Sequence, residues 1–190
     1  TSITIPDSVT SISSDAFDGC GSLSKIIVAE NNSVYKSIDD SLYTKDGKTL
    51  VKYAIGKTNT GFTIPDGVTT ICNSAFSFCS SLTSVTIPDS VTSVGKAAFA
   101  YCESLTSVTI PDSVTSIGDE AFQGCGKLTS IIIPNSVTYI GDCAFDGCYS
   151  LSKITVAENN SAYKTVEDSL YTKDGKFLVK YAISKTNTDF

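Results

Sequence analysis

Residues 82–104, 105–127 and 128–150 read LTSVTIPDSVTSVGKAAFAYCES, LTSVTIPDSVTSIGDEAFQGCGK and LTSIIIPNSVTYIGDCAFDGCYS. The three segments align without a gap as LxxVxIPxxVxxIxxxAFxxCxx, so the chain repeats one structural unit every 23 residues. Cys79, Cys102, Cys125 and Cys148 occupy one position in successive units. A fixed period of this length indicates a solenoid, in which each unit packs only against its neighbours.

The LxxVxI segment of each unit alternates apolar and polar side chains. This alternation predicts a strand with one buried face, running from Thr83 to Ile87 in the unit at Leu82. All five prolines directly follow such a strand, where a missing N–H ends the ladder without breaking it. The V-x-x-I stretch then forms the opposite wall, and the Ala-Phe-x-x-Cys segment predicts a single helical turn that closes the coil.

Two units are longer than the rest. In the unit spanning about residues 23–58, the segments SLYT and TLVKYA flank Lys45-Asp46-Gly47-Lys48, which predicts a hairpin on the convex side. The second long unit covers about residues 151–186, because residues 157–190 repeat residues 29–62. We therefore expect residues 1–190 to form a single solenoid with two inserted hairpins.

Composition excludes several classes of function. The chain has 190 residues and a net charge of −6, which argues against a nucleic-acid partner because a basic surface would be needed. No apolar run approaches the ~20 residues of a membrane span. Histidine is absent, which removes the commonest general base and metal ligand. We predict a protein that is not an enzyme and that needs no cofactor.

The repeat resembles the BspA-like, treponemal class of leucine-rich repeats, and the LYTKDGKTLVKYA segment is similar to an insert found in the same bacterial surface proteins. The resemblance implies an α/β, β-rich, right-handed curved solenoid with parallel strands on its concave face, displayed at the cell surface or outside the cell. One departure is a serine after the strand, where typical leucine-rich repeats carry an asparagine. The family includes adhesins, so a host or neighbouring-cell surface protein or glycan is the implied partner.

The outward residues of the concave strands are the first candidate binding site. Because solenoids usually bind ligands on this side, we predict a nearly uncharged binding face, formed by Ser84, Thr86, Ser107, Thr109, Ser130 and Ile132. A flat Ser/Thr array is also compatible with ice binding. The alternative to any binding role is a structural spacer, a rigid stalk without a ligand of its own.

Three other features of the sequence have both a possible functional role and a purely structural interpretation. Phe78 and Tyr101 stand where other units carry glycine, and adjacent units would place them side by side as a sticky patch or as ordinary surface aromatics. Three aspartates after the prolines would either share a calcium ion or simply cap their own turns; they are Asp66, Asp89 and Asp112. The cysteine column is expected in the core and not at a metal.

Open strand edges are expected at the two ends of the solenoid. They predict a monomer or an end-to-end crystal contact.

Overall fold

The computed structural model describes residues 1–183, so residues 184–186 of the second long unit lie outside the described residues. The chain forms a β-solenoid of the right-handed type with about 23 residues per turn. Its strands are β1 (Ser2–Ile5), β2 (Lys25–Val28), β3 (Tyr35–Ile38), β4 (Ser41–Thr44), β5 (Thr49–Lys52), β6 (Gly61–Thr63), β7 (Thr70–Ile71), β8 (Ser84–Thr86), β9 (Ser93–Val94), β10 (Ser107–Thr109), β11 (Ser116–Ile117), β12 (Ser130–Ile133), β13 (Tyr139–Ile140), β14 (Lys153–Val156), β15 (Tyr163–Val166), β16 (Ser169–Thr172) and β17 (Leu178–Lys180).

The LxxVxI segments form the first wall of the solenoid. Their strands pair in parallel as β1–β2, as β6–β8–β10 and as β12–β14. Equivalent residues of successive units face each other, so Val85 is opposite Val108 in the ladder. Both valines are buried while their neighbours in the strands are exposed, which is the alternation expected of a strand with one buried face.

The V-x-x-I segments and the first hairpin share a second wall. Four two-residue strands, β7, β9, β11 and β13, continue in one seven-stranded sheet with β5, β4 and β3. The hairpin strands β4 and β5 are antiparallel, as Lys45-Asp46-Gly47-Lys48 predicts, and β5 then pairs in parallel with β7. The hairpin therefore extends the second wall edge to edge. In the second long unit, β15, β16 and β17 form a sheet of their own.

The helical turn predicted for the Ala-Phe-x-x-Cys segment is wrong, because residues 1–183 contain no helix. In the unit of Phe99, the N–H groups alternate between two kinds of partner. Every second N–H group, in Ala97, Phe99 and Tyr101, donates to a carbonyl of the next unit at 2.6–2.8 Å. The N–H groups of the residues between them donate to the carbonyl three residues earlier in the same unit, which closes a turn. Ala97 and Tyr101 have φ of 53° and 58°, which a right-handed helix cannot contain.

The core is a column of stacked rings and thiols. Phe99 lies parallel to Phe76 with centroids 4.9 Å apart and to Phe122 with centroids 5.2 Å apart, and Phe145 continues the stack. Stacked aromatic pairs contribute roughly 0.5–1.5 kcal/mol beyond their buried area. Cys102 lies beside this stack and its Sγ donates to the carbonyl of Phe76 at 3.1 Å.

A buried asparagine joins each long unit to the unit before it. The Nδ2 of Asn160 donates to the carbonyls of Pro134 and Val137, and its Oδ1 accepts from the N–H groups of Ala162 and Tyr163. All four hydrogen-bonding positions of the amide are thus filled, as a fully buried polar group requires. Asn32 makes the equivalent contacts in the first long unit. Within the described range, no helix has the length and apolarity of a membrane span.

Candidate functional site

The outward side chains of the first wall form a flat polar surface, which we call the hydroxyl face. Ser84 is opposite Ser107 and Thr86 is opposite Thr109 in the parallel ladder, and all four residues are exposed. Neighbouring strands lie about 4.8 Å apart, so the hydroxyls form two regular rows. The backbone of each strand is fixed by its neighbours, so a ligand would meet donors and acceptors on a rigid support.

The hydroxyl face changes character towards the second long unit. Ser130 and Ile132 lie on β12 and are exposed, with 62% of the Ile132 surface accessible. Thr155 of β14 faces Ile132, and the exposed Lys153 faces Ser130. Lys153 and Thr155 were not among the residues predicted for this face, although they hold the same positions after Leu151 as Ser130 and Ile132 hold after Leu128. A positive charge and an apolar side chain therefore border the hydroxyl rows.

The threonines that precede the strands have a different role. Thr83 Oγ1 donates to the carbonyl of Thr60 at 2.9 Å, and Thr106 Oγ1 donates to the carbonyl of Thr83 at 3.0 Å. These hydroxyls link consecutive units and are occupied within the protein. Two of the serines that follow the prolines act similarly, since Ser90 Oγ donates to the carbonyl of Val68 and Ser113 Oγ to the carbonyl of Val91, each at 2.6 Å. They satisfy backbone carbonyls at the position where typical leucine-rich repeats carry an asparagine.

The aspartates that follow the prolines, Asp66, Asp89 and Asp112, are all exposed. Across the part of the chain that the structure describes, no group of three or more Asp, Glu, Cys or His residues could hold a metal ion. The turns at these positions are closed by backbone hydrogen bonds, as in the bond from Val91 N–H to the carbonyl of Pro88. A shared calcium ion at these aspartates stays a prediction.

The cysteine column has no reactive character. Cys79, Cys102, Cys125 and Cys148 are buried free thiols. Burial raises the pKa of the Cys79 thiol to about 12 and that of Cys148 to about 11, so these thiols stay protonated at neutral pH. Because the thiolate is the nucleophile and the metal ligand, the column packs as small apolar side chains.

A cavity of about 330 Å³ lies between the first hairpin, the unit before it and the two units after it. Ile12 and Phe17 line one part, and Lys52 and Cys72 line another. Burial lowers the pKa of Lys52. The Lys52 ammonium donates to the carbonyl of Ser74 at 2.7 Å and to Ser77 Oγ at 2.9 Å, so its hydrogen bonds tie the hairpin to the next turn. This lysine therefore has a structural role at the junction.

Phe78 and Tyr101 stack against each other at the turn between the second and first walls. Their ring centroids lie 5.0 Å apart and the ring planes differ by 8°. Both rings remain partly accessible, at 47% and 41%. This stack is separate from the buried one, whose members are fully enclosed, because both of its residues remain partly exposed.

Comparisons with solved structures agree with this architecture. A leucine-rich cell surface protein from Faecalibacterium prausnitzii is 37% identical, with a TM-score of 0.66 over 96% of this chain and 46% of that one. A leucine-rich repeat protein from Bacteroides capillosus is 31% identical, with a TM-score of 0.58 over 65% of this chain and 99% of that one. The pneumococcal vaccine antigen PcpA has a TM-score of 0.83 at 23% identity, over 96% of this chain and 49% of that one.

The chain thus spans about half the length of PcpA and of the F. prausnitzii protein. A comparison with proteins of curated function gave no match. The family model described as BspA type leucine rich repeat region (6 copies) matches residues 1–57 and 48–173, which together cover most of the chain. With the 23-residue unit, the parallel first wall and this match in agreement, the chain belongs to the BspA-type leucine-rich repeat family.

Proposed function

We propose that this chain is a non-enzymatic binding module of a cell-surface or secreted protein, with the hydroxyl face as its contact surface. The observation that carries the proposal is the register of Ser84 with Ser107 and of Thr86 with Thr109, all exposed on a rigid parallel sheet. A ligand that binds this surface loses little affinity to conformational entropy, because the backbone of the sheet is already fixed before the ligand binds. The partner would be a protein or glycan of a host or neighbouring cell.

The family and the structural neighbours support this type of module and its location. One neighbour is described as a leucine-rich cell surface protein and another as a vaccine antigen. The composition of the hydroxyl face fits a polar partner, since hydroxyls both donate and accept hydrogen bonds. Ile132 adds one exposed apolar contact beside the rows, and binding sites commonly combine apolar contacts with a few polar groups.

The test is a binding screen of the folded chain against immobilised matrix proteins and glycans. A reproducible ligand should lose at least tenfold in affinity with Ser107→Glu, which places a charge in the middle of the rows. Ser107→Thr keeps a hydroxyl and should retain binding. Ser80→Glu is the matched control, because Ser80 is also exposed but lies on a turn outside the hydroxyl face, and the next unit carries Glu103 at the same position.

The second candidate function is a structural spacer that holds other parts of a longer protein away from the surface. The continuous core stack from Phe76 to Phe145 favours a stiff body, which such a role requires. A screen without any ligand, together with unchanged behaviour of the Ser107→Glu variant, would support the spacer. A ligand that is equally well bound by Ser107→Glu would contradict the proposed use of the hydroxyl face.

A further inference from the structure

One turn position is occupied by glycine in three units and by an aromatic residue in two. Gly19, Gly124 and Gly147 have φ of 71–73°, and Phe78 and Tyr101 have φ of 63° and 58°. For a bulky residue a positive φ is unfavourable, and glycine adopts it freely. Because three units carry glycine at this position, the fold itself does not require an aromatic residue here. Two strained aromatic residues on adjacent units therefore point to a role for the exposed rings.

The backbone holds this position rigidly from unit to unit. The N–H of Phe78 donates to the carbonyl of Ala100 at 2.8 Å, that of Tyr101 to the carbonyl of Gln123 at 2.6 Å, and that of Gly124 to the carbonyl of Asp146 at 2.7 Å. Phe78 also packs flat against the Tyr101 ring, which fixes the orientation of that ring. The phenol of Tyr101 is thus placed before any ligand binds.

Beside Tyr101 lies a groove of about 480 Å³ that extends over three units. Tyr101 lines it in the first of these units, and Tyr149, which is 75% exposed, lines it in the third. Two unit spacings separate these tyrosines along the solenoid, roughly 10 Å at strand spacing. The unit between them contributes Gly124 and Gly126, so the floor between the two phenols carries no side chain at either position.

The two glycines of the floor differ in the space around them. A Cβ on Gly124 would lie 2.6 Å from the ring of Tyr101, so any other residue would displace that ring. At Gly126 a Cβ would meet nothing within 4 Å, so a side chain there would extend into open space. One glycine thus lets Tyr101 keep its position, and the other leaves the groove open.

Apart from Gly147, the remaining lining residues are polar: Glu103, Gln123, Lys127 and Asp146. Among the described residues, no aliphatic side chain lines the groove. An apolar peptide anchor would find no matching contacts, and a nucleic acid would meet two carboxylates. A pyranose ring fits this combination, because its C–H face packs on a phenol ring while its hydroxyls pair with carboxylate, amide and ammonium groups.

We propose that this groove, which we call the tyrosine groove, binds a pyranose unit of a glycan. Tyr101 and Tyr149 provide the ring contacts, and Glu103, Gln123, Lys127 and Asp146 provide hydrogen bonds to the hydroxyls. The proposal does not depend on the hydroxyl face, since none of these residues belongs to it. A chain whose first wall binds nothing would still bind sugar at this turn.

The experiment measures binding of the folded chain to a panel of neutral oligosaccharides ending in glucose, galactose, mannose or N-acetylhexosamine, by saturation-transfer NMR and titration calorimetry. We expect saturable binding of at least one sugar. Tyr149→Ser, at a highly exposed position, should weaken it at least tenfold without changing the melting temperature. Gly126→Leu should weaken it similarly by filling the floor.

Tyr101→Gly separates binding from folding. The variant places the residue of other units at the strained position, so the melting temperature should stay equal or rise while sugar affinity falls at least tenfold. Asn159→Ala, at an exposed position outside both the tyrosine groove and the hydroxyl face, is the control and should bind the sugar as the parent does. The absence of saturable binding to the whole panel, or unchanged affinity in Tyr149→Ser and Gly126→Leu, would overturn the proposal.

Discussion

The side-chain amide of Asn160 donates a 2.7 Å hydrogen bond to the carbonyl of Pro134, 26 residues earlier in the chain. This bond joins the second long unit to the turn of the regular unit before it. Asn32 makes the same 2.7 Å bond to the carbonyl of Pro6. An asparagine side chain thus makes the same bond at both places where the 23-residue period changes. We expect its removal to lower the free energy of unfolding by more than the loss of a typical polar residue does.

We expect Asn160→Ala to lower the free energy of unfolding by about 3 kcal/mol or more, because it leaves buried carbonyl and N–H groups without partners. Guanidinium unfolding followed by circular dichroism measures the change. The neighbouring Asn159 is exposed, so Asn159→Ala is the matched control and should stay within about 0.5 kcal/mol of the parent. Equal stability of the two variants would contradict the structural role of Asn160.

Thiol labelling should separate the seven cysteines by position. Cys20 and Cys143 are exposed, Cys72 is half-buried, and the four cysteines of the column are buried. Under native conditions at pH 8 we expect Cys20 to react rapidly with an aromatic disulfide reagent, and Cys143 to react more slowly because the hydrogen bond and charge of Asp146 raise its pKa. The column should react only after unfolding. Mass spectrometry of the labelled peptides identifies the sites, and rapid labelling of Cys102 in the folded chain would contradict the packing described above.

Stability should fall in alkaline solution. The pKa of Cys79 is raised from 9.0 to about 12 and that of Cys148 to about 11, mainly by burial, and the pKa values of Cys102 and Cys125 are raised as well. Above pH 9 the unfolded chain loses these protons while the folded chain keeps them, so unfolding becomes more favourable as pH rises towards 12.

Among the described residues, Lys52 opposes this trend, because burial lowers its pKa and its deprotonation favours the folded state as pH rises. Four column thiols with raised pKa values act in the opposite direction to this one lysine, so their combined effect is larger. We therefore expect the melting temperature to decrease steadily between pH 8.5 and 10.5. Cys125→Ala removes one of the titrating thiols and should show a shallower decrease. A melting temperature that is constant over this range would contradict the prediction.

Successive units are in close contact at Gly118, so we expect a larger side chain there to destabilise the fold. A Cβ at this position would lie 2.6 Å from the backbone nitrogen of Lys96 and 2.7 Å from the carbonyl carbon of Gly95. Both contacts are with backbone atoms, which can move only if the units separate. We expect Gly118→Ala to lower the free energy of unfolding by about 1–3 kcal/mol. At Gly21 a Cβ would meet nothing within 4 Å, so Gly21→Ala is the matched control and should be close to neutral.

The sequence predicts the fold where one short motif determines one conformation. The alternation in LxxVxI is sufficient for the first wall, and it correctly separates the exposed Ser84 and Thr86 from the buried Val85 between them. The turn after the second wall could not be predicted in the same way. Its left-handed residues include Ala97 and Tyr101, whose types normally favour other conformations, so the sequence suggests a helix where the chain forms bonds to the next unit.

The tyrosine groove illustrates a second limit of sequence reasoning. The aromatic position of Phe78 and Tyr101 is visible in the repeat, and so are the glycines that replace it in other units. The groove itself depends on which turn residues of neighbouring units lie side by side, and that arrangement follows from the turn geometry. At the repeat position of Tyr101 the next two units carry Gly124 and Gly147, and Tyr149 occupies a different repeat position, so no single column of the repeat contains both tyrosines.

The two walls are not continuous at the same points along the solenoid. Among the described strands, the first wall is interrupted between β2 and β6 and again between β10 and β12. At the second interruption β11 still pairs directly with β13, whereas at the first the connection between the units runs through β3, β4 and β5 to β7. The backbone bonds from Ile26 N–H to the carbonyl of Asp40 and from Gly56 N–H to the carbonyl of Leu23 complete this connection. A tensile force applied along the solenoid would therefore cross the hairpin, and we expect mechanical extension to begin there, at a lower force than between regular units.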